Sequence, residues 1–220
     1  GYFLASFPAH HLAWIAQRVA LTHRIGRFMG WMEREDDLDG IDGSFLPEGT
    51  FSVRAKRYEK AQPELDSRKM TRTLGGHLSA GRRVDLENPD IEVRTFISDR
   101  IGVHHSLYHI DRQSMEERKV AERPFFSPIS LHPRYARALI NMVEVKEGET
   151  LLDPFCGTGG ILMEAASMGI LALASDIDPE MIDGTQRNMS HFGLQLSGSA
   201  VTDIALIGKH FPGTDAIVTD

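Results

Sequence analysis

Apolar residues along the 220-residue chain change their period several times, and each change predicts an element. Tyr2 to Phe7 is a short apolar run broken by Pro8, a strand candidate. From His11 to Met32, Leu12, Ile15, Val19 and Thr22 recur every three or four positions, which predicts a helix. Glu33 to Gly43 is acidic and punctuated by glycine, so it reads as a loop and a boundary. At Phe51 the period becomes two. Phe51, Val53 and Ala55 share one face and Ser52, Arg54 and Lys56 the other, a half-buried strand with a basic outer face. Pro63 opens a second helix with Met70, Leu74 and Leu78 on one stripe. The Gly75-Gly76 pair inside it costs about 1 kcal/mol per glycine relative to alanine, so a close approach of another backbone is expected there. Val84 to Leu86 is a brief strand ended by Asn88-Pro89. Ile91, Val93 and Thr95 then alternate with Glu92, Arg94 and Phe96, Ser98 to Arg100 turns the chain, and Ile101, Val103, His105 and Leu107 run back. These elements make a small α+β domain.

The second half reads differently. Asp111 to Pro124 is polar and carries Arg112, Arg118, Lys119 and Arg123. It has the composition of an interdomain connector with a basic face, and a solvated charged linker explains it equally well. Arg118, Lys119 and Arg123 are its candidates for contact with a polyanion. After FFSPISLHP (125–133), Pro133 suits the first turn of a helix striped by Ala136, Leu139, Ile140 and Val143. Leu151 to Ala165, LLDPFCGTGGILMEA, then runs two leucines into an acid, a glycine turn and a new helical stripe, the strand–loop–helix opening of a doubly wound α/β sheet. Strand and helix keep alternating. Ile170 to Ala174 is a strand, Pro179 to Phe192 a helix stopped by Gly193, and Ser199 to Thr202 and Asp215 to Thr219 are two further strands. Asp153, Asp176, Asp203 and Asp220 follow these four strands and fall on one edge of a parallel sheet.

Composition narrows the picture. With 41% hydrophobic residues the chain is long enough for more than one core. One cysteine precludes an internal disulfide and a multi-cysteine zinc site, and no metal site is expected. No apolar run approaches a membrane span and no signal peptide is visible, so a cytoplasmic protein without membrane contact is expected. The net charge of −7 is uneven: Lys+Arg against Asp+Glu is 4 to 6 over residues 1–45, 17 to 13 over 46–137 and 3 to 12 over 138–220. A mildly basic middle permits a polyanion and an acidic end permits a cationic ligand.

The glycine turn needs a ligand that lies close to the backbone. No lysine follows it, so it is not a Walker loop, and its third glycine adjoins the second rather than standing three residues on, as a dinucleotide fold requires. An acid before the loop suits an ammonium group better than a pyrophosphate. S-adenosylmethionine, with an α-amino group and a sulfonium, is such a ligand. The residues to line its site are Phe155, Cys156, Gly157, Thr158 and Gly159, with Asp153 facing the amino end. Asp176 is placed for both ribose hydroxyls, Ile177 for one face of the adenine, and Asp203 for the adenine N6 amine, although Asp203 also reads as a helix N-cap. Asp220 is the candidate catalytic residue. A carboxylate accepting a hydrogen bond from an exocyclic base amine localises the lone pair and aims it at the methyl group, and positioning supplies the rest.

DPFCGTGGILMEA, SDIDPEMIDGTQRNMSHFGL and the terminal DAIVTD closely resemble the archaeal THUMP-domain tRNA guanine-N2-methyltransferases that act on guanosine 10. RVALTHRIG resembles the N-terminal ferredoxin-like part of that family, FSVRAKR through VDLENPDIEVR its THUMP domain, and RPFFSPISLHPRYARALINM the motif before its first strand. The resemblance implies an α/β Rossmann-like, SAM-dependent methyltransferase domain, C-terminally truncated, preceded by an α+β ferredoxin-like/THUMP region. Its parts would be residues 1–45 (ferredoxin-like), 46–110 (THUMP), 111–127 (linker) and 128–220 (methyltransferase). It further implies tRNA as partner and Ser130 with its neighbours as residues that close the cofactor site. A small partner subunit is compatible with the sequence and not specified by it. Another tRNA or rRNA guanosine fits the same fold, as does an RNA-binding module with a non-catalytic scaffold, which the intact acid edge disfavours. A NAD-dependent oxidoreductase would need a glycine where Leu162 and Met163 stand. In the family the fourth strand ends in Asp-Pro-Pro-Tyr, and here the sequence ends on Asp220. The 220-residue piece is therefore expected to be an excised, inactive fragment, and methyl transfer from it at a clear rate would overturn that expectation.

Overall fold

The computed structural model describes residues 2–128 and 130–220. In chain order the first half holds α1 (Leu12–Arg18), β1 (Arg24–Met32), β2 (Phe51–Arg57), α2 (Ser67–Ser79), β3 (Ile91–Ile97) and β4 (Ile101–His109). The second half holds α3 (Gln113–Glu116), α4 (Pro133–Met142), β5 (Thr150–Asp153), α5 (Gly160–Ser167), β6 (Leu171–Asp176), α6 (Pro179–His191), β7 (Gly198–Val201), α7 (Ile207–His210) and β8 (Ala216–Ile217). The chain divides into two compact units. One comprises the N-terminal residues up to Ala9 with Arg24–His109, the other His10–His23 with Ile110–Asp220. Among the described residues no helix is long and apolar enough to cross a membrane.

The first unit is a four-stranded sheet in the order β1-β4-β3-β2, parallel between β2 and β3 and antiparallel elsewhere. Strict alternation in β3 buries Ile91, Val93, Thr95 and Ile97, as a strand with one covered face requires. The crossover from β2 to β3 is α2, whose Met70, Leu74 and Leu78 are buried with the sheet's core residues. It starts four residues after Pro63, because Asp66 accepts hydrogen bonds from the Arg68 and Lys69 amides and so caps the first turn.

The predicted helix over His11–Met32 is corrected. Helix α1 ends at Arg18, Val19 is extended, and Arg24–Met32 is a strand. Two register irregularities, between Ile25 and Gly26 and between Phe28 and Gly30, break the alternation of β1, so period two is invisible in its sequence. Tyr2 to Phe7 forms no strand, and Tyr2 instead packs its ring on Trp31 and Phe96. Val84 makes only an isolated bridge to Phe51. Nor does Gly75-Gly76 mark a close backbone approach: a Cβ at Gly75 would meet only Val53 Cγ2 at 3.7 Å, and one at Gly76 nothing within 4 Å.

The second unit is a fully parallel sheet in the order β7-β6-β5-β8 with its helices packed on it. Leu151, Ile161, Leu162, Ala172, Ala174 and Met189 lie in its core. Residues 1–45 therefore do not form one body. Helix α1 belongs to the second unit, where the Arg18 Nε donates to Asn141 Oδ1 (3.0 Å) and Asn141 Nδ2 donates back to the Arg18 carbonyl (2.9 Å). The expected linker, 111–127, is likewise part of the second unit, and Met115 of α3 is buried there.

Gly76→Ala tests the account of α2. Gly76 is exposed, its φ is not positive and the added methyl meets nothing. The substitution is expected to stabilise the first unit by about 0.5–1 kcal/mol. Slower hydrogen exchange of the α2 amides would report it, and faster exchange would show that the glycine is required.

Candidate functional site

In the second unit the chain leaves β5 for β6 and β7 on one side and returns as β8 on the other. In a parallel sheet such a switch opens a crevice at the carboxyl ends of the strands. Asp153, the last residue of β5, sits at that point with 1% exposure. Its Oδ1 accepts from the Phe155 amide at 3.2 Å. The turn that follows needs left-handed backbone at Gly157 (φ +49°) and Gly159 (φ +78°). A Cβ at Gly159 would also stand 2.7 Å from Thr185 Cγ2. The Gly157 amide donates to Asp176 Oδ2 (3.1 Å) and the Asp178 amide to Asp176 Oδ1 (3.1 Å), so the carboxylate at the end of β6 holds the turn after β5.

Helix α6 braces the turn. Thr185 Oγ1 donates to the Gly157 carbonyl at 2.9 Å, and Asn188 Nδ2 donates to the carbonyls of Thr158 (2.9 Å) and Phe125 (2.6 Å). Thr158 Oγ1 is hydrogen-bonded to Ser130 Oγ (2.8 Å) and accepts from Arg123 Nη1 (3.2 Å). Phe155 and Ile177 are exposed at 54% and 70%, so apolar surface flanks the acids.

Burial pushes the Asp153 carboxyl up to about 7, and the charges of Asp220 and Asp176 push the same way, against hydrogen bonds from Thr219 and Phe155. Burial likewise pushes the Cys156 thiol up to about 12, so it stays protonated beside Thr185. The strand ends thus gather carboxylates, Asp153 and Asp176 among them without an ion pair among the described residues, next to a turn whose amides and hydroxyls are already organised.

Comparison with known proteins agrees with this geometry. A THUMP-domain model matches residues 41–103, and the model described as RMKL-like, methyltransferase domain, matches 121–220. A protein named tRNA (guanine(10)-N2)-dimethyltransferase from Methanothermobacter thermautotrophicus is 36% identical over 230 residues, covering all of this chain and 66% of that protein. Its namesake from Pyrococcus abyssi is 32% identical, over 94% of this chain and 64% of its own length. A THUMP-domain match in the first unit and an RMKL-like methyltransferase-domain match in the second thus make this chain similar to proteins that join the two. It spans just under two thirds of those relatives' length. The crystal structure of TrmN from Thermus thermophilus, 24% identical with a TM-score of 0.50 over 97% of this chain and 67% of that one, has the same fold. The Rossmann-like α/β reading and the resemblance to the archaeal THUMP-domain enzymes are borne out.

Within this THUMP–methyltransferase chain the structure brings Asp153, Asp176 and Asp220 into mutual electrostatic reach, with Phe155 to Gly159 and Ser130 around them. Asp203 follows β7, the strand beyond β6, and its Oδ1 caps the next turn by accepting from the Ala205 amide at 2.8 Å. Ile129, in the stretch expected to close the site, lies outside the described residues. Among the described residues no cluster of His, Cys, Asp and Glu could hold a metal ion.

The polyanion-facing connector is corrected in two of its three residues. Arg118 Nε and Nη2 donate to Glu164 Oε1 (2.7 Å) and Oε2 (3.2 Å), and Glu164 is fully buried. Arg123 is 4% exposed and bonded to the glycine turn. Lys119 alone of the three keeps a substantial part of its side chain, 42%, exposed. Arg118 turns inward because α5 carries a buried carboxylate that also accepts from Arg137 Nε at 2.9 Å, and Arg123 because the Arg118 carbonyl and Thr158 accept from it. A single acid in the otherwise apolar helix ILMEAA was the signal in the sequence.

A carboxyl that keeps its proton to higher pH folded than unfolded contributes nothing adverse below about pH 4 and weakens the fold as pH rises toward 7. At 1.36 kcal/mol per pH unit the loss at Asp153 is on the order of 4 kcal/mol. Asp153→Asn is therefore expected to match the wild type at pH 4.5 and to exceed it progressively up to pH 7.5. Urea unfolding at several pH values measures this, and a difference that does not vary with pH would contradict it.

Proposed function

We propose that this chain binds S-adenosylmethionine at the carboxyl ends of β5 and β6, and that the protein methylates the exocyclic N2 of a guanosine in tRNA, at position 10. The buried Asp153 beside an ordered glycine turn carries the reading: a carboxylate with no ion-pair partner among the described residues fits a ligand that brings its own cation.

In this reading Asp153 faces the amino end of the cofactor. Asp176 uses its remaining lone pairs for the ribose hydroxyls, Ile177 covers one face of the adenine, and the second oxygen of Asp203 accepts from its N6 amine. Phe155, Cys156, Gly157, Thr158 and Gly159 form the wall of the site, and Ser130 closes it. When bound, the cofactor supplies an electrophilic methyl group on sulfur. Asp220 would accept a hydrogen bond from the guanine amine, draw its lone pair out of the ring, and take the proton that the nitrogen gives up, the methyl group leaving sulfur as a neutral thioether for nitrogen. The THUMP unit supplies RNA contacts, consistent with the names of the relatives.

Calorimetric titration with S-adenosylhomocysteine tests the cofactor site. The wild type is expected to bind, and Asp176→Ala to bind at least about tenfold more weakly through loss of charge-assisted hydrogen bonds. A folded wild type that does not bind would overturn the proposal. Any methyl transfer detected is expected at guanosine 10 of a tRNA transcript, and not when inosine, which lacks the amine, replaces it.

A further inference from the structure

One buried carboxylate collects four segments of the second unit. Arg118 meets Glu164 of α5 through both Nε and Nη2, and Arg137 of α4 meets it through Nε. The other nitrogens of Arg137 donate to the Gln17 carbonyl (3.2 Å) and to Ser167 Oγ (2.8 Å), so α1, the turn after α3, α4 and α5 converge on a single acid. Burial pulls the Arg123 guanidinium down to about 10, while the charges of Glu164 and Asp220 act to raise it, so the same acid answers a third arginine at longer range.

The two arginines paired with Glu164 are not equivalent. Helix α4 carries Arg137 and is also packed into the core by Ala136 and Ile140, which are fully buried. Residues 117–132 have no such anchor. Among those described only Arg123 is buried, and the regular structure is one 3-10 turn, Val120–Glu122. With no buried apolar side chain to fix it, the path of this segment depends on polar contacts. They form a relay from Arg118. Its carbonyl accepts from Arg123 Nε (3.0 Å), Arg123 Nη1 donates to Thr158 Oγ1 (3.2 Å), and that oxygen is hydrogen-bonded to Ser130 Oγ (2.8 Å). We infer that Arg118 is a positioning residue: clamped on Glu164, it fixes the path of residues 117–132 and so holds Ser130 at the cofactor site. The part of this inference that concerns ligand rests on the S-adenosylmethionine reading above.

The test compares Arg118→Met, Arg137→Met and Arg118→Lys with the wild type. Both methionine variants take one guanidinium from the same buried carboxylate, so urea unfolding is expected to show similar losses of stability. Binding of S-adenosylhomocysteine, measured by calorimetry, separates them. Arg118→Met is expected to bind about 3-fold to 30-fold more weakly, the range for a residue coupled to a site it does not touch, and Arg137→Met to bind like the wild type. Arg118→Lys, which keeps the charge but not the fork, is expected to fall between. Hydrogen exchange reads the same segment without ligand. The amides of Glu122, Arg123 and Phe125, bonded to the Lys119 and Val120 carbonyls and to Asn188, are expected to exchange faster in Arg118→Met and not in Arg137→Met. If methionine at either position prevents folding, Arg118→Lys and Arg137→Lys carry the same comparison. Equal weakening by both variants would mean that affinity simply follows stability. Unchanged affinity and exchange in Arg118→Met would mean that Asn188 and Thr158 hold the segment unaided. Either result overturns the inference. A folded wild type that binds no S-adenosylhomocysteine overturns the cofactor reading instead, and the exchange rates still decide whether Arg118 fixes the segment.

Discussion

A carboxylate withdrawn from water at the end of a strand must be protonated, hydrogen-bonded or matched by a cation. Asp153 meets the requirement only in part, through the Phe155 amide and Thr219, and its nearest charges are the like charges of Asp220 and Asp176. The rest of the site follows from keeping it there. The turn after β5 has to fold back tightly, which takes left-handed backbone at Gly157 and Gly159. Asp176 then has to anchor the Gly157 amide, and α6 has to brace the Gly157 and Thr158 carbonyls through Thr185 and Asn188. Buried like charges and left-handed turn residues both cost stability, so this arrangement is kept at the expense of the fold.

Behind the turn the same logic runs with the opposite sign. Glu164 is taken by two arginines, and its placement in an apolar helix makes sense only because the turn after α3 and helix α4 deliver Arg118 and Arg137 to it. Breaking such a buried set is expensive in either direction. It therefore ties the segment before α4 firmly to α5, and with it Arg123 and Ser130. The segment ahead of the first strand is part of the site's rear wall, although nothing in its own composition separates it from a solvated linker.

Legibility followed the strength of local period. Strands β2 and β3 and the β-α units from β5 onward could be read, since each has one clear periodicity and a matching cap: Asp66 before α2, Pro133 in α4, Asp178 with Pro179 in α6. The acid edge was legible too, because strand ends in a parallel sheet share one edge by topology. Strand β1 was not, since its two irregularities shift the side chains out of alternation and mimic helical spacing. Direction of side chains was also hidden. Arg118 and Arg123 read as surface residues, and only the tertiary position of Glu164 and Thr158 turns them inward.

Net charge shows why boundaries matter more than composition. Cut by sequence, the middle of the chain looked basic. Cut along the compact units, the THUMP-bearing unit has 14 basic against 15 acidic residues and the methyltransferase unit 10 against 16. Half of the excess in the middle lies between Asp111 and Arg137, in the other body, where Arg118 and Arg137 pair with the buried Glu164, and the acidic stretch from Glu33 to Asp42 cancels the other half within the first unit. Any attraction between the first unit and a polyanion must then come from how its charges are arranged rather than from how many there are. Arg24, Arg54 and Arg94 gathered around the single Glu92 are such an arrangement, a local excess of positive charge on a unit whose net charge is −1.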